Sequence, residues 1–291
     1  MKFGFFLMTQ KGFDVLNSLI KNQQTQFVDF ICIGIDANLE DDFSDKIKEL
    51  CEIHTITYFF KESLSERVLN SDFYIAISWR WLLDLSNLII IHDSILPKYR
   101  GFAPLVNMLI NGEKEIGATA LFASNEYDKG DILAQEKIAI QYPITIAEAI
   151  TVVGNLYIEL VNQIIRQSLL NSFKPKQQNE KEATYSLWLD HEDYFIDWNW
   201  SAEKIKRKVD ACGFPYDGAK TILENDIIMI EKVEVEQDVQ IENRTVGKVI
   251  FVKENCPVIV CGKGLLRLTV AKNVNTKENI LPLSKFRLKF K

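Results

Sequence analysis

The sequence has few cysteines, and none of them belongs to a Cys-x-x-Cys pair. The five are Cys32, Cys51, Cys212, Cys256 and Cys261, an odd number at irregular spacings. A disulfide framework and a zinc site are therefore both disfavoured, and buried thiols of a cytosolic protein are expected. No spacing of His and Cys residues suggests another metal, so we predict no metal site.

Long apolar runs and glycine-rich phosphate loops are also lacking. The apolar stretch at the start, Phe3 to Met8, is too short for a signal peptide or a membrane span, and it is typical of a first buried strand. We therefore expect a cytoplasmic protein with no membrane partner. Neither a Gly-x-Gly-x-x-Gly motif nor a P-loop motif occurs, so neither a dinucleotide site nor a P-loop is predicted.

An excess of basic residues is missing as well. The formal net charge is −6, which disfavours a dedicated nucleic-acid binder without excluding a local basic patch. Hydrophobic residues make up 47% of the 291 residues and charged residues 25%. This balance is typical of a globular chain with one large domain or two ordinary ones.

What the first half does contain is an alternation of apolar strands and amphipathic helices. This alternation predicts an α/β fold with a doubly wound, mostly parallel sheet. The predicted strands are residues 2–8, 27–33, 73–77, 88–91, 118–124 and 132–138, and the predicted helices are residues 11–21, 40–52 and a segment from 104 to 111.

In the second half, the alternation of strands and helices gives way to short strand-like runs after a polar segment. Thr145 and Glu148 fit a capping box that begins a long helix ending near residue 172. Residues 173–184 are polar and contain a proline, so we predict a linker between a domain of residues 1–180 and one of residues 181–291. One short helix after Ser201 and several short strand-like runs predict a small antiparallel β-barrel.

The most informative stretch is the polar loop His92-Asp-Ser-Ile-Leu-Pro-Lys-Tyr-Arg-Gly101, which directly follows the apolar run Leu88–Ile91. A buried strand of this kind presents the histidine at the carboxyl edge of the sheet. The loop Asp128-Lys-Gly-Asp131 follows another apolar segment. A histidine and an acid on two loops at one edge can form an acid–base pair. A structural histidine and an Asx turn at Asp128 are the alternatives.

These two loops, with Asn111-Gly-Glu113, Gly117-Ala-Thr119 and Phe214-Pro-Tyr-Asp-Gly-Ala219, resemble the motifs of the folate-dependent formyltransferases. The resemblance implies a Rossmann-like formyltransferase domain followed by an OB-like barrel. It also implies transfer of a formyl group from N10-formyltetrahydrofolate to an amine. By the same resemblance, His92 is the general base or proton shuttle and Asp128 is its partner.

The resemblance assigns binding roles too. It places the folate pterin at the segment after strand 73–77, for which core packing at Trp81 is the alternative. It places the substrate on the loop after His92, where Lys98 and Arg100 either meet a phosphate or form a solvated face. The folate contacts are Trp79, Arg80, Trp81, Leu82 and Asp131 (a turn residue in the alternative interpretation), and the substrate contacts are Lys98, Tyr99, Arg100 and Gly101.

One position departs from the family pattern. The family has Asn-x-His, in which the asparagine helps to polarise the formyl oxygen, and this chain has Ile90 at that position. Isoleucine has no hydrogen-bond donor on its side chain. Asn107 is the predicted stand-in donor and is grouped with His92 and Asp128 as catalytic; protonated His92 is the other candidate.

The resemblance leaves two candidates for the amine that accepts the formyl group, a nucleotide-linked amino sugar and methionyl-tRNA. From Tyr185 to Lys291 we count 17 Lys and Arg against 16 Asp and Glu, whereas a tRNA-binding domain is expected to be basic. A nucleotide-linked amino sugar is therefore preferred, which implies a role in lipopolysaccharide or glycan biosynthesis and, by resemblance, a homodimer. Methionyl-tRNA is the alternative acceptor, and a non-catalytic folate or nucleotide-sugar binder is a further alternative because of Ile90.

Overall fold

The computed structural model describes residues 1–37, 39 and 41–291 and separates them into two compact units. The first unit comprises residues 1–104, 115–139 and 149–187, and the second comprises residues 105–114, 140–148 and 188–291. The second unit therefore includes two segments, residues 105–114 and 140–148, that come before residue 188. The predicted division into domains of residues 1–180 and 181–291 does not include these two segments. Within the described residues, no helix has the length and apolar character needed to cross a bilayer.

The first unit is built on a mixed, mostly parallel sheet of seven strands within the described residues, in the order β3-β2-β1-β4-β5-β7-β8. The first five of these pair in parallel, whereas β7 and β8 are antiparallel to their neighbours. The strands are β1 Phe3–Leu7, β2 Val28–Ile33, β3 Tyr58–Phe60, β4 Phe73–Ile77, β5 Leu88–His92, β7 Glu115–Phe122 and β8 Ile132–Ala139, with the short β6 Arg100–Gly101 and β9 Tyr185–Ser186 outside this sheet.

The central strands form because nearly every residue in them is apolar, as expected for parallel strands buried on both faces. All five residues of β1 are buried, and one side of the sheet carries a cluster around Phe6, Phe30 and Tyr74. This arrangement confirms the predicted doubly wound, mostly parallel fold class. Strand β3 was not predicted, because three residues are too few to show a pattern.

Helices α1 Thr9–Lys21 and α2 Ser44–Ile53 belong to this unit. Helix α3 Pro104–Asn111 belongs to the second unit from residue 105 on, and α4 Ile146–Leu169 belongs to the first unit from residue 149 on. The predicted start of α2 at Glu40 lies outside the described residues. The predicted capping box of α4 is confirmed: the Glu148 N–H donates to Thr145 Oγ1 at 3.3 Å, and the Thr145 N–H donates to Glu148 Oε2 at 2.8 Å.

The second unit contains α5 Ala202–Cys212 and a five-stranded antiparallel sheet in the order β10-β11-β14-β13-β12. Its strands are β10 Ala219–Leu223, β11 Asp226–Glu236, β12 Val249–Lys253, β13 Cys256–Val260 and β14 Leu265–Asn273. Ser201 caps α5, as its hydroxyl accepts from the Lys204 N–H at 3.2 Å. Trp198 is buried within this unit and donates to Thr221 Oγ1 at 3.0 Å.

All five cysteines are free thiols; four of them are buried as predicted, and Cys256 is half-buried. Burial raises the pKa of the Cys32 thiol to about 12. A buried thiol of this kind behaves as a small apolar side chain and is unreactive at neutral pH.

Candidate active site

His92 is the last residue of β5, at the carboxyl edge of the parallel part of the sheet. It is only 8% exposed and lies opposite Thr119 of β7 in the strand register. The apolar run Leu88–Ile91 forms the buried strand β5, which lies between β4 and β7 in the sheet. The chain leaves the sheet after His92. In open α/β sheets, ligands bind outside the carboxyl ends of the strands.

The hydrogen bonds of His92 determine which ring nitrogen is available for chemistry. Nε2 lies 2.8 Å from the carbonyl oxygen of Tyr99. Since a carbonyl oxygen only accepts, this contact assigns the proton to Nε2. Nδ1 then faces Asp128, whose Oδ1 lies 3.5 Å away. The structure therefore brings His92 and Asp128 together, with Nδ1 as the nitrogen that is able to take up a proton.

Asp128 is held in place by the loops around it. Its Oδ2 accepts a 2.8 Å hydrogen bond from the Gly101 N–H, and its carbonyl oxygen accepts one of 2.7 Å from Gln178 Nε2. Asp128 itself has a φ of 55°, the left-handed region that is uncommon for residues with a side chain. Backbone of this kind persists at functional sites where neighbouring contacts hold it.

Gly130 is the residue that allows the Asp128 loop to approach β7. A Cβ atom added at Gly130 would overlap the carbonyl oxygen of Phe122, which cannot move without disturbing the sheet. We predict that Gly130→Ala destabilises the protein by about 1–3 kcal/mol or more. Thermal unfolding measures this loss.

Gly154→Ala is the matched control for that substitution. Gly154 lies within α4, and an added Cβ atom would make only an ordinary 3.4 Å contact with Asp14. Because alanine favours helix by about 1 kcal/mol over glycine, this variant should be as stable as the parent or slightly more so. Equal losses in both variants would contradict the assigned role of Gly130.

The loop after His92 is fixed to β7 and β8 by side-chain hydrogen bonds. Thr119 Oγ1 donates to the Ser94 carbonyl oxygen at 2.7 Å and accepts from the Leu96 N–H at 3.2 Å. Gln135 Nε2 donates to the Leu96 carbonyl oxygen at 2.7 Å and lies 2.9 Å from Thr119 Oγ1. These contacts make the loop a rigid support, which an acid–base site requires.

Arg100 does not have either role considered from its sequence position. It is completely buried. Its guanidinium donates to Gln178 Oε1 at 2.8 and 3.1 Å, and to the two carboxylate oxygens of Glu180 at 2.7 and 2.9 Å. Because these acceptors occupy its donors, Arg100 is not free to hold a substrate phosphate, and it is not part of a solvated face.

The segment predicted as a linker supplies both partners of Arg100, Gln178 and Glu180. Residues 173–184 contain Gln178, which is 7% exposed and also donates to the Gly130 carbonyl oxygen at 2.8 Å. Strand β9 then pairs in parallel with β6, Arg100 opposite Tyr185 and Gly101 opposite Ser186. Polar composition indicated a linker here, but the polar side chains instead bind the two loops of the site together. No sequence pattern pointed to Gln178.

The other predicted substrate residues differ in exposure. Lys98 is exposed. Tyr99 supplies the carbonyl oxygen that binds His92 and has a left-handed φ of 58°. Gly101, with a φ of 95°, has no room for a side chain, since a Cβ would lie 2.7 Å from the Ser186 carbonyl oxygen. Gly101 therefore joins the two loops through its N–H group, and substrate contact at Lys98 and Tyr99 stays a prediction.

The predicted folate segment follows β4, next to β5. Trp79 packs edge-on against Phe6 and Trp81, with ring centres 5.1 Å apart in both pairs. Arg80 pairs with Asp36, donating to its Oδ1 at 2.8 Å. Trp81 is 37% exposed and Leu82 is 83% exposed. The segment thus presents apolar surface at the same edge of the sheet as His92.

Asp131 and Asn107 are the remaining residues of the predicted site. Asp131 is exposed, and its carbonyl oxygen accepts a 3.0 Å hydrogen bond from the Phe122 N–H, which fits the turn interpretation. Asn107 lies on α3 among the residues of the second unit, and its role as a stand-in donor stays a prediction. His54 and His191 are exposed.

Ile90 faces the apolar cluster of the sheet and is partly buried against it. It lies two residues before His92 on β5, so the two side chains share one side of the strand. The position thus leaves an apolar group where the family pattern has an amide.

Comparison with known proteins agrees with this geometry. The family model described as "Formyl transferase" matches residues 77–152, and the one described as "Formyl transferase, C-terminal domain" matches residues 189–281. Together they cover more than half of the chain. The first match includes both loops that carry His92 and Asp128.

Individual proteins are similar as well. The methionyl-tRNA formyltransferase of Acidovorax ebreus is 31% identical over 210 residues, which span 71% of this chain but only 64% of that protein. Among solved structures, the sugar 3N-formyl transferase WlaRD has a TM-score of 0.70 at 18% identity, covering 94% of this chain and 98% of that one. The N-formyltransferase of Helicobacter canadensis has a TM-score of 0.68 at 18% identity, covering 92% and 98%.

At such identities the solved structures establish the fold alone. The two family models match consecutive parts of the sequence in the order of the two units and include the site motifs. The chain therefore belongs to the formyltransferase family.

Proposed function

We propose that the protein is an N-formyltransferase that moves a formyl group from N10-formyltetrahydrofolate to a primary amine. The observation that carries this proposal is the buried His92, with Nε2 bound to the Tyr99 carbonyl oxygen and Nδ1 facing Asp128 at 3.5 Å. An imidazole can take up and release a proton at one ring nitrogen while the other is hydrogen-bonded, so it suits a proton shuttle. An adjacent carboxylate stabilises the charged imidazole.

The proton steps follow from this arrangement. The acceptor amine attacks the formyl carbon in its uncharged form, forming a new N–C bond while the bond from carbon to the folate nitrogen N10 breaks. His92 Nδ1 takes the proton that the amine loses and returns it to the departing nitrogen. Asp128 stabilises the imidazolium between these two steps, and the Nε2 bond to Tyr99 keeps the ring oriented.

The folate segment fits a flat heteroaromatic ring. N10-formyltetrahydrofolate, when bound, supplies the one-carbon unit, and Trp79, Trp81 and Leu82 would hold its pterin. Within the described part of the chain, Trp79 Nε1 is buried without a hydrogen-bond acceptor. Buried donors of this kind call for an explanation, and a pterin carbonyl or ring nitrogen is an acceptor of suitable chemistry. Arg80, between Trp79 and Trp81 in the chain, would lie at the margin of such a site.

We favour a nucleotide-linked amino sugar as the acceptor. The near balance of 17 basic and 16 acidic residues from Tyr185 to Lys291 supports a small-molecule acceptor, because tRNA affinity depends mainly on phosphate contacts from basic residues. Likeness in fold over 92–94% of this chain to a sugar 3N-formyl transferase and to an N-formyltransferase in complex with dTDP-3-aminofucose supports the same choice. The exposed Lys98 is the loop cation that remains available for a phosphate.

Methionyl-tRNA is the second candidate acceptor. The observation in its favour is the sequence identity of 31% to a methionyl-tRNA formyltransferase. The basic alternation Lys285, Arg287, Lys289 and Lys291 near the end of the chain would supply phosphate contacts. A homodimer stays an expectation of the family resemblance.

A direct assay separates these candidates. Release of tetrahydrofolate from N10-formyltetrahydrofolate is followed spectroscopically with a panel of amino-sugar nucleotides and with methionyl-tRNA. We expect turnover with at least one amino-sugar nucleotide and none with the charged tRNA. Turnover with the tRNA alone would overturn the sugar proposal and leave formyl transfer intact. Folate binding without turnover on any acceptor would identify a binding protein.

A further inference from the structure

Three polar side chains meet behind the strand end that carries His92, two of them buried and the third partly exposed. Lys11 on α1 is 8% exposed and Tyr157 on α4 is 1% exposed, while the Asp93 side chain is 20% exposed. The Lys11 ammonium donates to Asp93 Oδ2. The Tyr157 hydroxyl lies 2.7 Å from Asp93 Oδ1. The proton steps described above use none of these groups.

The charges of this group are defined by its own contacts. Burial by itself would raise the pKa of the Asp93 carboxyl, but the Lys11 ammonium and the Tyr157 hydroxyl outweigh burial and hold that pKa below its ordinary value. Burial and the neighbouring Asp93 carboxylate raise the pKa of the Tyr157 phenol well above 10. At neutral pH the group is thus a carboxylate that accepts from an ammonium and from a neutral phenol.

Stability alone is a poor reason for such a group. Desolvation of two buried charges offsets much of their attraction, and apolar side chains of similar volume often pack as well in their place. A buried, fully paired polar network does restrict the local structure to one arrangement. The residue it restricts here is the neighbour of His92.

The contacts hold the chain on both sides of His92. The Tyr157 hydroxyl lies 2.9 Å from the Ile91 carbonyl oxygen as well as 2.7 Å from Asp93 Oδ1. The one hydrogen of the Tyr157 hydroxyl is shared between these two acceptors, so residues 91 and 93 both contact α4, and Lys11 attaches residue 93 to α1. The His92 side chain instead contacts the loops that carry Tyr99 and Asp128.

We propose that Lys11, Asp93 and Tyr157 position His92, holding the backbone of residues 91–93 so that Nε2 stays on the Tyr99 carbonyl oxygen and Nδ1 faces Asp128. They are positioning residues, since they act through His92. The effect on rate rests on the proposed formyl transfer, whereas the effect on the imidazole does not.

Nitrogen-15 NMR of the imidazoles tests the geometric part without any substrate. The chain has three histidines, and the exposed His54 and His191 serve as internal references. In the parent protein we expect one His92 tautomer with the proton on Nε2. In Tyr157→Phe, and in the double variant Lys11→Met with Asp93→Asn, we expect a mixture of tautomers or exchange broadening at His92 alone. The double variant removes both charges together, so neither is left buried and unpaired.

Tyr74→Phe is the matched control for the loss of a buried tyrosine hydroxyl. Tyr74 lies on β4, the strand next to β5, and is 4% exposed. Its hydroxyl oxygen accepts a 3.1 Å hydrogen bond from the Ser71 N–H. This variant should leave the His92 signals unchanged. An unchanged His92 spectrum in folded Tyr157→Phe and in the folded double variant overturns the proposal, as does an equal change in Tyr74→Phe.

Steady-state kinetics tests the consequence for rate. With an acceptor that supports turnover, Tyr157→Phe should lower kcat by about 10- to 100-fold, the scale expected for a misplaced catalytic group, while KM stays within twofold. A rise in KM at unchanged kcat would overturn the positioning role. If no acceptor supports turnover, the proposed function fails, and the NMR result still decides whether the three residues position His92.

Discussion

Replacing His92 by alanine should lower kcat/KM by about 10²- to 10⁴-fold, the range for loss of a general acid–base group. The reason is that the proposed mechanism uses Nδ1, which faces Asp128, as the proton acceptor, while Nε2 is bound to the Tyr99 carbonyl oxygen. The measurement is the rate of tetrahydrofolate release with the best acceptor of the panel. His54→Ala and His191→Ala, at exposed positions, are controls that should keep the parent rate.

Asp128→Asn completes this test. The amide oxygen still accepts from the Gly101 N–H, as Asp128 Oδ2 does at 2.8 Å, so the loop should stay in place while the charge beside the imidazole is lost. We expect a loss of about 10²-fold at unchanged thermal stability. A folded His92→Ala variant with a near-normal rate would remove His92 from the mechanism, and the same outcome for Asp128→Asn would remove Asp128.

Replacing Ile90 by asparagine should raise kcat by about 10²- to 10³-fold, the effect of one oxyanion donor in comparable sites. Ile90 shares a side of β5 with His92 and is only partly buried, and the family pattern has its amide at this position, so we expect the introduced amide to donate to the developing oxyanion of the proposed reaction. The same substitution places a polar group against the apolar cluster, which we expect to cost about 1–3 kcal/mol of stability. Single-turnover rates and thermal unfolding measure the two effects.

Ile90→Leu is the control, because it keeps an apolar side chain of the same size without a donor, and its rate should equal that of the parent. If folded Ile90→Asn is no faster than Ile90→Leu, another group already supplies the donor. Asn107→Ala then tests the predicted stand-in: an unchanged rate would reject Asn107 and leave protonated His92 as the remaining candidate.

Sequence patterns were sufficient where they depend on local chemistry. The apolar residues of β1, β4 and β5 predicted buried parallel strands because such strands are apolar on both sides. The capping box at Thr145 and Glu148 was predicted because its bonds join residues three positions apart. The His92 loop and the Asp128 loop were found together because both end strands at one edge of a sheet.

Patterns failed where a contact joins residues distant in the sequence. The sequence predicted either a phosphate contact or a solvated face for Arg100, yet Gln178 and Glu180, some eighty positions away, bind its buried guanidinium. The polar segment 173–184 indicated a linker, because nothing local distinguishes a solvated glutamine from one that binds two loops. Lys11 and Tyr157 were overlooked for the same reason, since each meets Asp93 only in the folded chain.

The sequence by itself determined the fold class, the family and the two residues on which the proposed chemistry depends, since apolar periodicity, caps and short motifs act over a few neighbouring positions. Only the tertiary structure decided which nitrogen of His92 is available, what holds Asp128, and where Arg100 and Asp93 are directed. Those properties depend on hydrogen bonds between groups far apart in the chain. Such bonds become strong enough to fix one arrangement only when folding has removed the groups from water.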